Sequence, residues 1–186
     1  MSKKKTTVRD RVMETLIYDG DSGALTWKRR GAEQFGSKAG YRLWNYRYAG
    51  KSAGTKTFNA DGSAGGITLR LDNVTYRAHR LIWELLYGAI PEGRVIDHIN
   101  GNPFDNRITN IRMCTPQQNR CNTKLSKANV SGFKGVSFRP KEGKWRAAIG
   151  MNGRRITIGS YRTIDEARSA YKKKSLQLHG QFARTT

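Results

Sequence analysis

The chain has 186 residues, room for one domain or two small ones, and sets 35 Lys and Arg against 14 Asp and Glu. A formal charge of +21 is more than solubility asks for. Self-repulsion of that size destabilises a compact chain unless a polyanion neutralises it, and nucleic acid is the common one. An apolar run of about 18 residues, a long amphipathic helix and a signal peptide are all absent from the pattern, which argues against a membrane partner and for the cytoplasm. Lys3-Lys4-Lys5 is too short a run, with no apolar stretch behind it, to open a secretory leader.

In chain order, Thr7 caps a first helix with Asp10 at its third position, and Val8, Val12, Leu16 and Ile17 mark the apolar side. Asp19-Gly20-Asp21-Ser22-Gly23 turns the chain into a short strand, Leu25-Thr26-Trp27-Lys28. Residues 29–66 mix glycine, basic and aromatic residues, among them Tyr41, Trp44, Tyr46, Arg47 and Tyr48, and show no regular pattern. They either pack against the rest of the chain or touch a nucleic acid. Residues 67–71 and 74–77 form a hairpin about Asp72-Asn73, and a helix over 79–87 stops at Gly88.

Residues 95–98 are a short strand, Asn100-Gly101 a turn and 111–113 a second strand. Thr115-Pro116-Gln117-Gln118 opens a helix: Thr caps, Pro takes the first position and Gln the third. Asn119 therefore stands near the start of that helix. Cys114 and Cys121 have no CxxC spacing and no second pair, so they read as reduced structural thiols. Residues 122–131, with Asn122, Thr123, Lys124, Ser126, Lys127 and Asn129, are a polar linker. Strands follow over 133–139, 145–151 and 155–161, the last two joined by an Asn152-Gly153 hairpin turn. Thr163 and Glu166 then box the start of a helix that runs to about His179 and stops at Gly180. From Lys124 onward there are 15 Lys and Arg against 3 Asp and Glu, so the basic excess is concentrated in a separate tail domain.

Breaking a phosphodiester needs a deprotonated water, charge neutralisation at the phosphorus oxygens and help for the leaving oxygen. Magnesium prefers oxygen ligands and keeps several waters, so one carboxylate and one amide suffice from the protein. Asp97 and Asn119 are such a pair, and His98 is a proton acceptor beside them. Neighbours on a strand point to opposite faces, so Asp97 and His98 can serve one site only if the strand ends there.

The run His79-Arg80-Leu81, Asp97-His98-Ile99-Asn100-Gly101-Asn102, Asp105 to Arg112 and Asn119 resembles the HNH homing endonucleases of phages and introns. The resemblance covers about 74–122 and implies a ββα-metal fold that holds one divalent ion, Mg2+ or Mn2+. Carried over by position, His98 resembles the general base, Asp97 the metal-ligating carboxylate and Asn119 the second ligand, where other members carry a histidine. Asn110 resembles the central asparagine that ties the loop and fixes the base. His79 either caps its helix or takes part directly. Arg80, Arg107 and Arg112 either hold scissile-strand phosphates or pair internally, with Asp105 the available partner.

The tail, through Phe133-Lys134-Gly135-Val136, Lys144 to Ile149, Ile158 to Tyr161 and Asp165 to Tyr171, resembles the AP2 DNA-binding domain, a three-stranded antiparallel sheet against one helix. Alternation puts Val136, Trp145, Ala147, Ile149, Ile156 and Ile158 on the face toward Ala167, Ala170 and Tyr171, and Arg139, Arg146, Arg155 and Thr157 on the other. By resemblance Lys134, Arg139 and Arg155 are the leading DNA contacts, with Arg146 beside them. The combined expectation is an α+β chain: an N-terminal region and HNH domain over 1–121, a linker over 122–131 and an AP2-like domain over 132–182. It would be a metal-dependent endonuclease acting on double-stranded DNA. The alternatives are a sequence-specific DNA-binding regulator with an inactive nuclease domain, and a nonspecific nuclease.

Overall fold

The computed structural model describes residues 7–123, 125, 128–151 and 153–184. Lys3-Lys4-Lys5, the linker residues Lys124, Ser126 and Lys127, and Asn152 of the expected hairpin turn lie outside the described residues. The chain divides into two compact units, Met1–Met113 and Cys114–Thr186.

In the first unit, α1 (Val8–Thr15) starts from a capping box in which Thr7 and Asp10 satisfy each other's backbone N–H. The helix ends two residues earlier than its apolar side suggested. Leu16 is already extended, and β1 (Leu16–Tyr18) pairs antiparallel with β2 (Leu25–Trp27). Leu16 is buried and Ile17 is 53% exposed, the alternation of a strand and not of a helix face. Residues 29–66 hold structure that the pattern did not show: a 3-10 turn Ala32–Gln34, α2 (Lys38–Tyr48) and β3 (Thr55–Phe58). Strand β3 borders β4 (Ala64–Leu71), which pairs with β5 (Val74–Arg77) in a three-stranded antiparallel sheet. Asp72 and Asn73 both take positive φ, 48° and 65°, which suits a two-residue hairpin loop.

Helix α3 (Ala78–Tyr87) ends at Gly88. It buries Ala78, Leu81 and Ile82, spaced i, i+3, i+4, against Val12, Leu16, Leu25, Leu69, Leu71, Ile96 and Ile111. That core carries β6 (Val95–His98) and β7 (Ile111–Cys114), which form a two-stranded sheet of their own.

The second unit contains α4 (Pro116–Cys121), with the expected capping box between Thr115 and Gln118. Its sheet has the order β10-β9-β8, from β8 (Val136–Arg139), β9 (Lys144–Met151) and β10 (Arg154–Tyr161), all antiparallel. Helix α5 (Ile164–His179), boxed by Thr163 and Glu166, lays Ala167 and Tyr171 on Val136, Ala147 and Ile149. Strand β8 begins three residues later than the pattern indicated. Ser131 Oγ accepts from Phe133 N and donates to Val136 O, which holds 131–136 in a turn. Gly135 is required there: a Cβ would lie 2.1 Å from the Tyr171 ring, and φ is +71°. Ile156, expected in the core, is 39% exposed. Its neighbours Ile149, on the paired strand, and Arg155 help line an open hollow of about 720 Å³ that Tyr171 and His179 also border.

Candidate active site

Strand β6 is buried over Ile96, Asp97 and His98 in succession, so both of its faces are covered. Asp97 is 7% exposed. Its Oδ2 accepts from Arg112 Nε at 3.1 Å and Nη2 at 2.9 Å, a charge-assisted pair that orients the carboxylate. His98 closes the strand. Gly101 N donates to its carbonyl, and Ile99 N to Asn110 O. The imidazole Nε2 meets Asn106 Oδ1 at 2.9 Å, with Asn106 only 1% exposed. The ring of His79 stands edge-on to that of His98, centroids 4.9 Å apart. Burial, and then the neighbouring charges of His98, Arg77 and Arg80, push the His79 pKa down to about 3. Its Nδ1 is buried and has no hydrogen-bond partner among the described residues. His79 therefore stands as a neutral wall beside His98.

The loop from Ile99 to Asn110 is a knot of side-chain-to-backbone bonds. Asn110 Oδ1 accepts from Asn100 N, and its Nδ2 donates to Asn100 Oδ1 and Asp105 O. Arg107 forks onto Asp105 through Nε at 2.8 Å and Nη2 at 2.6 Å, and this holds the carboxyl at about 2. Asn110 thus ties the loop. The residue that meets the imidazole is a different one: Asn106 stands there and Asn110 does not.

The first hairpin braces the loop from outside. Tyr18 Oη donates to Asn106 O at 3.2 Å and accepts from Ile108 N at 2.9 Å. Gly23 lets the two backbones touch, since a Cβ there would lie 2.4 Å from Arg107 N. Asn106, Tyr18 and Gly23 were not singled out in the sequence. Asn106 had a signal, its place in Asp105-Asn106-Arg107, but Tyr18 had none.

Asn119 is half-buried in α4, in the second unit, and its side-chain amide makes no hydrogen bond to another described residue. Beyond α4, Lys134 Nζ donates to Cys121 O at 2.8 Å and Thr123 O at 2.9 Å. Among the described residues, no cluster of three or more His, Cys, Asp or Glu is placed to hold a metal.

Residues 76–121 match the family model described as HNH endonuclease. The chain is 37% identical over 108 residues to Protein 3.8 of Escherichia phage T7, covering 58% of this chain and 88% of that protein. It is 32% identical over 119 residues to an uncharacterized HNH endonuclease, L560, of Acanthamoeba polyphaga mimivirus, covering 63% of this chain and 61% of the relative. The chain carries an HNH endonuclease domain over residues 76–121 and is a DNA-cleaving enzyme. A solved structure of DNA binding and cleavage by the HNH homing endonuclease I-HmuI aligns over 89% of this chain and 85% of its own at 20% identity, with a TM-score of 0.34.

In this HNH endonuclease the basic residues expected on DNA divide into two groups. Arg112 is spent on Asp97, with its side chain 12% exposed, and Arg107 is forked onto Asp105 but remains 49% exposed. The ammonium of Lys134 is committed to the carbonyls at the end of α4, half-buried, with its pKa lowered by that burial. Arg139, Arg146 and Arg155 share one face of the sheet. The register sets Arg139 opposite Lys144, Ser137 opposite Arg146 and Arg155 opposite Gly150, on the side away from Val136, Ala147 and Ile149. Ser137 Oγ, Arg139 Nε and Arg146 Nε on that face are buried without a hydrogen-bond partner among the described residues. Arg146 Nη2 bonds Glu142 at 2.8 Å. Among the described residues, no helix is long and apolar enough to cross a membrane.

Proposed function

We propose that this enzyme is a homing-type endonuclease that hydrolyses double-stranded DNA in the host cytoplasm. Asp97, His98, Asn110 and Asn119 would form its site, and the sheet of the second unit would lie on the DNA. The observation that carries the reading is the His98–Asn106 bond within the segment that matches the HNH model. Asn106 presents a carbonyl oxygen, so the imidazole proton sits on Nε2 and the lone pair on Nδ1. In that tautomer Nδ1 takes the proton of the attacking water. The Nε2–H bond to Asn106 strengthens as the ring becomes cationic, which favours the transition state over the ground state.

A hard divalent ion, magnesium or manganese, would neutralise the phosphorus oxygens and help the leaving oxygen. Asp97 and Asn119 are the residues that would hold it. A carboxylate and an amide oxygen leave such an ion most of its waters. Arg112 keeps the Asp97 carboxylate oriented. Arg139, Arg146 and Arg155 would contact the DNA. Their place together on the face of the sheet away from its core supports that role.

Plasmid incubated with the protein, with and without magnesium, tests the proposal. Discrete products that need magnesium support it. Uncut plasmid overturns it, and DNA binding without cutting would favour a regulator. General degradation would remove the targeting role from the second unit.

A further inference from the structure

Helix α2 has an inner side that is held in place and an outer side that is not. Asn45 accepts from Arg30 N and donates to Arg30 O and Tyr41 O, so the helix is pinned to the segment before it. Trp44 packs edge-on to Trp27 at 5.8 Å and beneath the Arg30 guanidinium at 4.9 Å. Successive residues advance by about 100° around the axis. The outward arc therefore has Ala39, Leu43 and Tyr46 at its crest, Lys38 and Arg42 on one shoulder and Arg47 on the other. Leu43 is 50% and Tyr46 82% exposed, and the three cations are exposed as well. None of the three makes an ion pair to another described residue. Residues 28–51 hold seven Lys and Arg and a single acidic residue, Glu33.

An apolar crest between cationic shoulders has the cross-section of a DNA major groove. The groove is about 12 Å wide and a helix with its side chains about 10–12 Å across. Phosphates line both rims, and thymine methyl groups lie on the floor. Resting on the reading of the chain as a DNA endonuclease, we propose that α2 seats in the major groove of the substrate. Lys38, Arg42 and Arg47 would take phosphates of the two strands, and Leu43 and Tyr46 would touch base edges. The nuclease unit would then grip DNA through an element of its own. An anionic membrane would also draw basic residues. However, three helical turns with one aromatic and one aliphatic residue at the crest offer little apolar area to bury in lipid.

The test measures binding of the full-length protein to a duplex that the wild type cuts, over a range of salt. Replacing Lys38, Arg42 and Arg47 together by alanine should lower the slope of log affinity against log salt by about 2.7, or about 0.9 for each phosphate no longer neutralised. The footprint should shorten at one end. Leu43→Ala with Tyr46→Ala should relax base preference within the span that the triple variant leaves unprotected. Arg162→Ala with Lys172→Ala and Lys173→Ala, three exposed cations of the second unit, controls for net charge.

An unchanged slope and footprint in the triple variant overturn the proposal. So does an equal loss in the control. Binding of the wild type to phosphatidylserine vesicles through these residues, with the DNA slope unchanged, overturns it in favour of a membrane. A wild type that neither binds nor cuts DNA brings down the nuclease reading, and this proposal with it. A wild type that cuts while the triple variant keeps its slope removes α2 alone.

Discussion

Asp97 is a buried carboxylate with a guanidinium set across one oxygen. Removing one partner of such a pair leaves a charge in low dielectric, which costs about 3–5 kcal/mol. Arg112→Met should therefore destabilise the first unit by that order in urea titration. If Asp97 is a metal ligand, magnesium should raise the Tm of the variant more than that of the wild type, because the ion replaces the missing cation. Equal shifts would remove the ligand assignment. His98→Ala should abolish cleavage with DNA affinity retained, since a general base acts in the transition state. Asn106→Leu should lower kcat by about 10–100-fold with a smaller change in KM, because the imidazole then loses the group that fixes its tautomer. An unchanged kcat in Asn106→Leu would place the proton acceptor elsewhere. His79 gives the pH response of the fold. It is neutral in the native state down to about pH 3 but titrates near 6.5 when unfolded, so the unfolded chain binds the extra proton. Stability is then complete above 6.5 and falls, as pH drops toward 3, by about 1.4 kcal/mol per pH unit. Urea midpoints at pH 7 and 5 should show that fall in the wild type and not in His79→Gln.

At the scale of elements, capping chemistry was legible and tertiary capture was not. Thr7 with Asp10, Thr115 with Gln118 and Thr163 with Glu166 each formed the box their spacing announced, because a cap is settled within four residues. Helix α2 was hidden. Gly40 and four aromatic residues give it weak intrinsic propensity, and what holds it is the bridge from Asn45 to Arg30, fifteen residues away. The site was legible in the same uneven way. Asp97, His98 and Asn110 stand in the strand and loop their motif implied. Asn106 and Tyr18 act through contacts that exist only once the loop has folded against the first hairpin. The start of β8 was misplaced because Ser131 and Gly135 shape a turn against Tyr171. Gly135→Ala must move that ring or the Ala148 carbonyl, and it also takes a positive φ. It should destabilise the second unit by about 2–4 kcal/mol in thermal melts. A variant that melts with the wild type would show that the turn can relax.

At the scale of the whole molecule, the division of the chain departs from the linker that the composition marks. The polar stretch over 122–131 reads as a boundary, yet α4 groups with the second unit. The end of α4 is bonded by Lys134, and Asn122 O accepts from Arg184. A six-residue helix has little stability of its own. Ending the chain at Ser131 should therefore weaken the hold on Asn119 as well as remove the basic sheet. If Asn119 is a metal ligand, magnesium should bind the cleavage-competent state about 10–100-fold more weakly than in the full chain, as loss of a ligand's support commonly does. Magnesium titration of cleavage by the two proteins decides it, and identical half-saturation would show that α4 stands alone. The bracing of the catalytic loop by Tyr18 has a consequence in time. Its two bonds join positions 88 and 90 residues apart, so loop closure over most of the first unit must precede them. During synthesis, Tyr18 leaves the ribosome long before Asn106 does. The core of the unit closes over a similar separation, from Val12 to Ile111. The fold and the loop that holds His98 therefore both wait on the same late segment, and a chain cut short before residue 106 has neither.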